Sequence, residues 1–158
     1  GETALIGARE KTIDGNPSQG AAYVFRREGT RWVEEQRLAA SDGHEDSRFG
    51  WALALRRGVA LVGAELDFPG ENNRGVVYEF RDQGDAWAEI QRFQAPIGHG
   101  IDNFGKSISL TDQGALISQT GNAMVQPPGG TAWIFGRPVL FTDGFESGDT
   151  AAWTQTVP

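Results

Sequence analysis

The residues best suited to chemistry are few and scattered. His44 and His99 are the only histidines in 158 residues; they lie 55 apart, each directly after a glycine. An imidazole serves as general base, proton switch or metal ligand. The neighbours differ, however: Asp42, Glu45 and Asp46 surround His44, whereas Ile97 and Gly100 flank His99. A shared metal site is not supported, and two histidines would still lack a third ligand and its supporting shell. The plainer reading is a repeated turn that exposes its imidazole. Ser41, Asp42 and His44 sit too close along one turn for Ser–His–Asp geometry. In Gly144-Phe145-Glu146-Ser147-Gly148 the serine stands one place too late for a nucleophile elbow. Adjacent acids at Glu34-Glu35 and Glu45-Asp46 read as solvated faces. Gly-x-Gly-x-x-Gly and P-loop patterns are absent, and without cysteine there is no thiolate ligand or nucleophile. These residues predict a protein that is not an enzyme and carries no cofactor.

What would position such residues is a repeat. Ala4-Leu5-Ile6-Gly7-Ala8 returns as Ala60-Leu61-Val62-Gly63-Ala64 and, degraded, as Ala115-Leu116-Ile117-Ser118. Gly20-Ala21-Ala22-Tyr23-Val24-Phe25 returns as Gly75-Val76-Val77-Tyr78-Glu79-Phe80 and as Gly130-Thr131-Ala132-Trp133-Ile134-Phe135. Trp32 maps to Trp87, Gln36 to Gln91 and Phe49-Gly50 to Phe104-Gly105, all 55 apart. Each period reads as four short strands, complete in the second copy: Phe49 to Leu55, Val59 to Ala64, Gly75 to Phe80 and Ala86 to Phe93. The second is a continuous apolar run suited to burial on both faces, and the third is rich in β-branched and aromatic residues. No sustained 3.6-residue apolar period occurs, so almost no helix is expected.

Four-stranded sheets repeating every ~40–55 residues are the signature of a β-propeller, whose blades need neighbours to bury their faces. Phe49-Gly50 followed by Leu61-Val62-Gly63-Ala64 resembles the FG-GAP repeat of the integrin α-subunit propeller and many bacterial surface proteins. The likeness covers roughly 1–135. It implies an all-β, partial β-propeller of about three antiparallel blades. Residues 1–48 form a blade without its first strand, 49–103 a complete blade and 104–136 a blade without its fourth strand, with a tail at 137–158. Because rings close with ~4–8 blades, the expectation is a C-terminal portion of a longer propeller. The alternative is a chain that closes its ring as a homo-oligomer.

The family often carries calcium in an Asp-x-Asp-x-Asp-Gly loop between strands one and two. Here Arg56-Arg57-Gly58 and Thr111-Asp112-Gln113-Gly114 stand at that turn, too short to wrap a cation, so the site is not carried over and calcium is expected only in blades beyond these. The tail Asp143-Gly144-Phe145-Glu146-Ser147-Gly148-Asp149 resembles the C-terminal end of many exported bacterial proteins, which implies a secreted or surface-attached protein.

Binding is expected from loops, because constant strands with variable loops are how such scaffolds mount recognition sites. The strand two–three loops differ most between copies, and Asp67, Glu71 and Asn72 make the second the most polar. Trp51 is a non-repeated aromatic, since Lys106 holds its place in the next blade. Trp51, Asp67, Glu71, Asn72, His44 and His99 are the candidate ligand contacts, set against a plain surface role for each. The formal charge of −7 is spread evenly, with no basic stripe. Nucleic acid and anionic membranes are therefore poor partners, and no apolar run is long enough for a spanning helix. The expected function is a non-catalytic binding or scaffold module for a protein or carbohydrate ligand. The competing reading is a secreted hydrolase whose active residues lie in blades beyond these.

Overall fold

Alternation of large apolar residues along each strand dictates the architecture, because successive side chains point to opposite faces. A computed structural model of the chain describes residues 2–67, 75–95, 103–120 and 130–136. They form ten β-strands and no helix: β1 (Thr3–Ala8), β2 (Ala21–Glu28), β3 (Arg31–Leu38), β4 (Phe49–Arg56), β5 (Val59–Ala64), β6 (Val76–Asp82), β7 (Trp87–Phe93), β8 (Phe104–Leu110), β9 (Gly114–Thr120) and β10 (Gly130–Gly136). Strands β1-β2-β3 make one antiparallel meander, β4-β5-β6-β7 a second and β8-β9-β10 a third. These three sheets are β-propeller-like blades.

The core lies between the sheets rather than within any one. In the second sheet Ala60, Val62, Ala64, Val76, Tyr78 and Phe80 pack with Ala22, Val24 and Leu38 of the first. The intervening Leu61 and Val77 turn the other way, onto Phe104, Ala115 and Ile117 of the third. A middle sheet buried on both faces accounts for the near-continuous apolar run of β5. Equivalent residues occupy equivalent places. Phe49 meets Phe80 edge-on at 5.9 Å and 80°, and Phe104 meets Phe135 at 6.0 Å and 79°.

The Phe-Gly pair has a physical reason. Gly50 and Gly105 hold left-handed backbone, φ 93° and 84°, where a side chain is strained. A Cβ on Gly50 would also strike the Ala21 carbonyl of the preceding sheet. The pair thus sinks an aromatic ring and brings two blades to backbone contact.

Strand limits in the complete blade differ from the sequence-based expectation: β4 runs on to Arg56, β6 spans Val76–Asp82 and β7 begins at Trp87. Strand β6 continues past Phe80 because Arg81 and Asp82 still pair with Ala88 and Trp87 of β7. Strand β4 is buried at Phe49 and Gly50 and half-buried for most of its length thereafter; among the described residues its only strand partner is β5. Burial is greatest in β5 and β6 and weakens outward to β7.

Candidate functional site

The loop from β3 to β4 is stitched to the first sheet by its backbone. Amides of Asp46, Arg48 and Phe49 donate to the carbonyls of Pro17, Ser18 and Gln19 at 2.9–3.0 Å. Asp46 and Arg48 take left-handed φ values of 61° and 57°, which bend the loop back towards the β5–β6 connection. Within this bend the Ser47 hydroxyl donates to the His44 carbonyl at 2.8 Å and accepts from the His44 amide at 3.2 Å. That short-range turn fixes the imidazole.

His44 and Asp67 are brought together. His44 Nε2 lies 2.7 Å from Asp67 Oδ1. Its Nδ1 lies 3.1 Å from Ser47 Oγ and 3.0 Å from the Glu45 carbonyl. Asp67 is buried and also hydrogen-bonds the hydroxyl of Tyr78, which stands 2.8 Å from Asp42 Oδ1. Arg92 pairs with Asp42 at the outer end. Burial, and then the Asp67 carboxylate, push the Tyr78 phenol far above its ordinary value, so its hydroxyl stays protonated and donates to one carboxylate or the other. Asp67 is therefore no solubilising surface residue. Asp67 itself points inward, where its carboxylate meets an imidazole and a phenol.

Ser47, His44 and Asp67 have the composition of a hydrolytic triad but not its wiring. In a working triad Nε2 faces the serine and Nδ1 the aspartate; here the two nitrogens are exchanged. Ser47 is wholly buried and spends its proton on the His44 carbonyl. The constellation clamps a loop and offers no nucleophile. Among the described residues no group of three His, Asp or Glu side chains is placed to hold a metal ion.

Trp51 sits in a different setting on the same rim. The Arg9 guanidinium lies over its ring at 4.2 Å, with Lys106 at 5.8 Å and Arg48 at 5.9 Å from the centroid. Beside them Glu65, buried, faces Arg48 at 3.5 Å and Lys106 at 3.8 Å. The arrangement follows the repeat. Arg9 and Glu65 each come directly after a Gly-Ala, and Trp51 and Lys106 each directly after a Phe-Gly. The first member of each pair reaches the second in the next blade: a cation over an indole at one joint, an ion pair at the other. Arg48 also lines an open recess of about 670 Å³ with His44, Glu45, Asp46 and Leu66, which links the Trp51 cluster to the His44–Asp67 pair.

A family model for the FG-GAP repeat matches residues 32–80, from β3 through most of β6. No curated protein matches the chain. Of the candidate ligand contacts, His44 and Asp67 pair directly, and Trp51 lies near Arg48, which lines a recess with His44, whereas Glu71, Asn72, His99 and the tail from 137 to 158 lie outside the described residues. Sequence reasoning missed Arg9, Glu65 and Tyr78 as partners of that rim. The clue to Arg9 and Glu65 was present in their common place after Gly-Ala. Nothing in the repeat marks Tyr78 as a bridge, because Tyr23 and Trp133 hold its register without that role. Among the described residues, no helix is long and apolar enough to cross a membrane.

Proposed function

We propose that the chain is a non-catalytic recognition module of an exported bacterial protein, binding a protein or glycan through the loops of one propeller face. The FG-GAP fold itself supports a binding or scaffold role; the rim supports the finer reading. Its carrying observation is that Trp51, the aromatic without a repeat counterpart, stands near Arg48, which lines an open recess with His44, Glu45, Asp46 and Leu66. An indole edged by cations and carboxylates suits a polar, polyhydroxylated or charged ligand, and the hydrogen bonds that fix His44, Ser47 and Asp67 lower the ordering cost of binding beside them. The Asp143–Asp149 motif supports export by its resemblance alone. No cofactor is part of this reading.

The test is a glycan and protein-ligand array probed with the intact protein, Trp51→Ala and Arg48→Ala. The expected result is a set of ligands whose binding falls at least tenfold in both variants while the thermal midpoint holds within a few degrees. Ligands bound equally by all three proteins would refute the rim as the site. Turnover of ester or glycoside substrates that survives Ser47→Ala and vanishes in Trp51→Ala would refute the non-catalytic reading.

A further inference from the structure

Three cations from three stretches of the chain gather around one indole, in a protein whose formal charge is −7. Arg9 follows β1, Arg48 precedes β4 and Lys106 lies in β8; they stand 4.2, 5.9 and 5.8 Å from the Trp51 centroid. None of the three is locked. Arg48 keeps 3.5 Å and Lys106 3.8 Å from the Glu65 carboxylate, and Arg9 keeps 3.4 Å from Glu10. By contrast Arg26 closes on Asp82 at 2.6 Å and on Glu35 at 2.8 Å, the length of a committed charge-assisted hydrogen bond. The side chains of Arg9, Arg48 and Lys106 all stay open to solvent.

Glu65 is the reverse case. Its side chain is 4% exposed, yet among the described residues Oε2 has no hydrogen-bond donor. A buried oxygen of that kind calls for a partner. Arg48 carries a second mark. Its φ of 57° is left-handed, a conformation that asparagine tolerates and long side chains rarely take; 55 residues on, Asn103 holds the same place at 43°. An arginine thus stands where the bend suits asparagine, and its guanidinium lies over the indole.

We propose that this cluster binds a uronic acid unit of an acidic polysaccharide, an inference that rests on the recognition reading above. The ligand carboxylate takes Arg48 and Lys106 from their loose ion pairs, while the indole, with Arg9 over it, brackets the cations together. Oε2 of Glu65 becomes reachable as the flexible Lys106 ammonium turns to the ligand, and accepts from a sugar hydroxyl. Glu45 and Asp46, which line the adjoining recess with Arg48, accept from others. The mixture of signs selects the class. An acidic peptide brings charge without hydroxyl donors, and sets that charge against Glu45, Asp46 and Glu65. A neutral sugar brings donors but nothing for the cations. A sugar acid offers one anion and several donors on a single rigid ring, so little ordering entropy opposes it.

Calorimetric titration of the full chain with oligogalacturonate, oligomannuronate and hyaluronan is the test, beside the methyl ester of the galacturonate and poly-L-glutamate. The ester keeps the sugar ring and its hydroxyls but loses the charge; polyglutamate keeps charge without hydroxyls. Expected are saturable binding of at least one acid glycan that weakens with added salt, at least tenfold weaker binding of the ester than of its parent acid and of polyglutamate than of the bound glycan, and at least tenfold loss in Arg48→Gln. The ligand-side comparisons leave the protein untouched, so misfolding cannot produce them. The inference is overturned by absence of saturation with all three acid glycans, by equal affinity for acid and ester, or by polyglutamate bound as tightly, which would make an acidic peptide the ligand. Should it fall while other array ligands still lose binding in Trp51→Ala and Arg48→Ala, the rim stands and only the uronate assignment goes; array ligands bound equally by all three proteins remove the rim itself.

Discussion

Gly7→Ala puts the blade packing to a direct test. Gly7 lies in β1 with ordinary extended backbone, so alanine brings no conformational strain and would, in open space, stabilise the fold by about 0.4–1 kcal/mol through the unfolded chain. Space is what it lacks. A Cβ at Gly7 would meet the Gly50 carbonyl oxygen of the next blade well inside 3.0 Å, the approach real Cβ atoms essentially never make, with Leu53 Cδ1 at 3.3 Å behind it. The obstacle is backbone, so no rotamer relieves it, and the second sheet must retreat by roughly an ångström. A gap of that size forfeits about a quarter to a half of each van der Waals contact across it, and this joint holds Phe49, Tyr78, Phe80 and Trp87. Overpacking of side chains costs about 1–3 kcal/mol, and a backbone clash belongs at the upper end, near 3. For a chain of this size that lowers the thermal midpoint by roughly 6–12 °C. Tryptophan fluorescence melts with parallel urea titrations measure it. Gly84→Ala is the control: nothing lies within 4 Å of its Cβ, and only its φ of 97° penalises alanine, by about 1–2 kcal/mol. A Gly7→Ala protein within about 0.5 kcal/mol of the parent would refute blade-to-blade backbone contact.

Two further outcomes follow from the polar contacts. Tyr78→Phe removes the hydroxyl between Asp42 and buried Asp67 and should destabilise by about 1–3 kcal/mol, read by urea denaturation; replacing His44 by Gln as well should give a non-additive double-mutant cycle. In acid, Asp112 is held below its ordinary 3.8 first by the hydrogen bond from Arg56, and Asp82 first by the Gly84 amide and then by Arg26. Lowered carboxyls stabilise above the unfolded value and lose that contribution as pH falls through the folded one. The thermal midpoint should therefore hold above pH about 4 and decline below it. Asp112→Asn should shallow the decline by a small, salt-sensitive amount, since the pair is solvent-exposed; a decline that begins above pH 5 would contradict the assignment.

The blades were legible in the sequence because their constraints are local and periodic. Phe49 and Phe104, the Gly-Ala pairs and the apolar run of β5 each repeat, and each repetition names a place in the same frame. What escaped was chemistry made by proximity across the repeat. Asp67 reads as a solvent-facing acid, and only the folded chain shows His44 and Tyr78 waiting for it. Ser47 carries no signal in the sequence, yet its hydroxyl aims the His44 imidazole. Trp51 was visible as an exception, but its neighbours Arg9 and Lys106 come from the blades on either side, 42 residues before it and 55 after it. Such pairings carry no local pattern, because a charge on a strand end looks the same whether it faces water or an indole.

The joints between successive sheets use one mechanical frame with unlike couplers, Arg9 on Trp51 at one and Glu65 on Lys106 at the next. Tandem units of similar sequence are prone to docking in the wrong order while they fold. Here a mis-seated neighbour meets the wrong coupler: Arg9 would face the ammonium of Lys106, or Glu65 the electron-rich face of Trp51. The unlike couplers thus act as an address, and a tandem duplication of residues 49–103 would create a joint, Glu65 against Trp51, at which the address is misread.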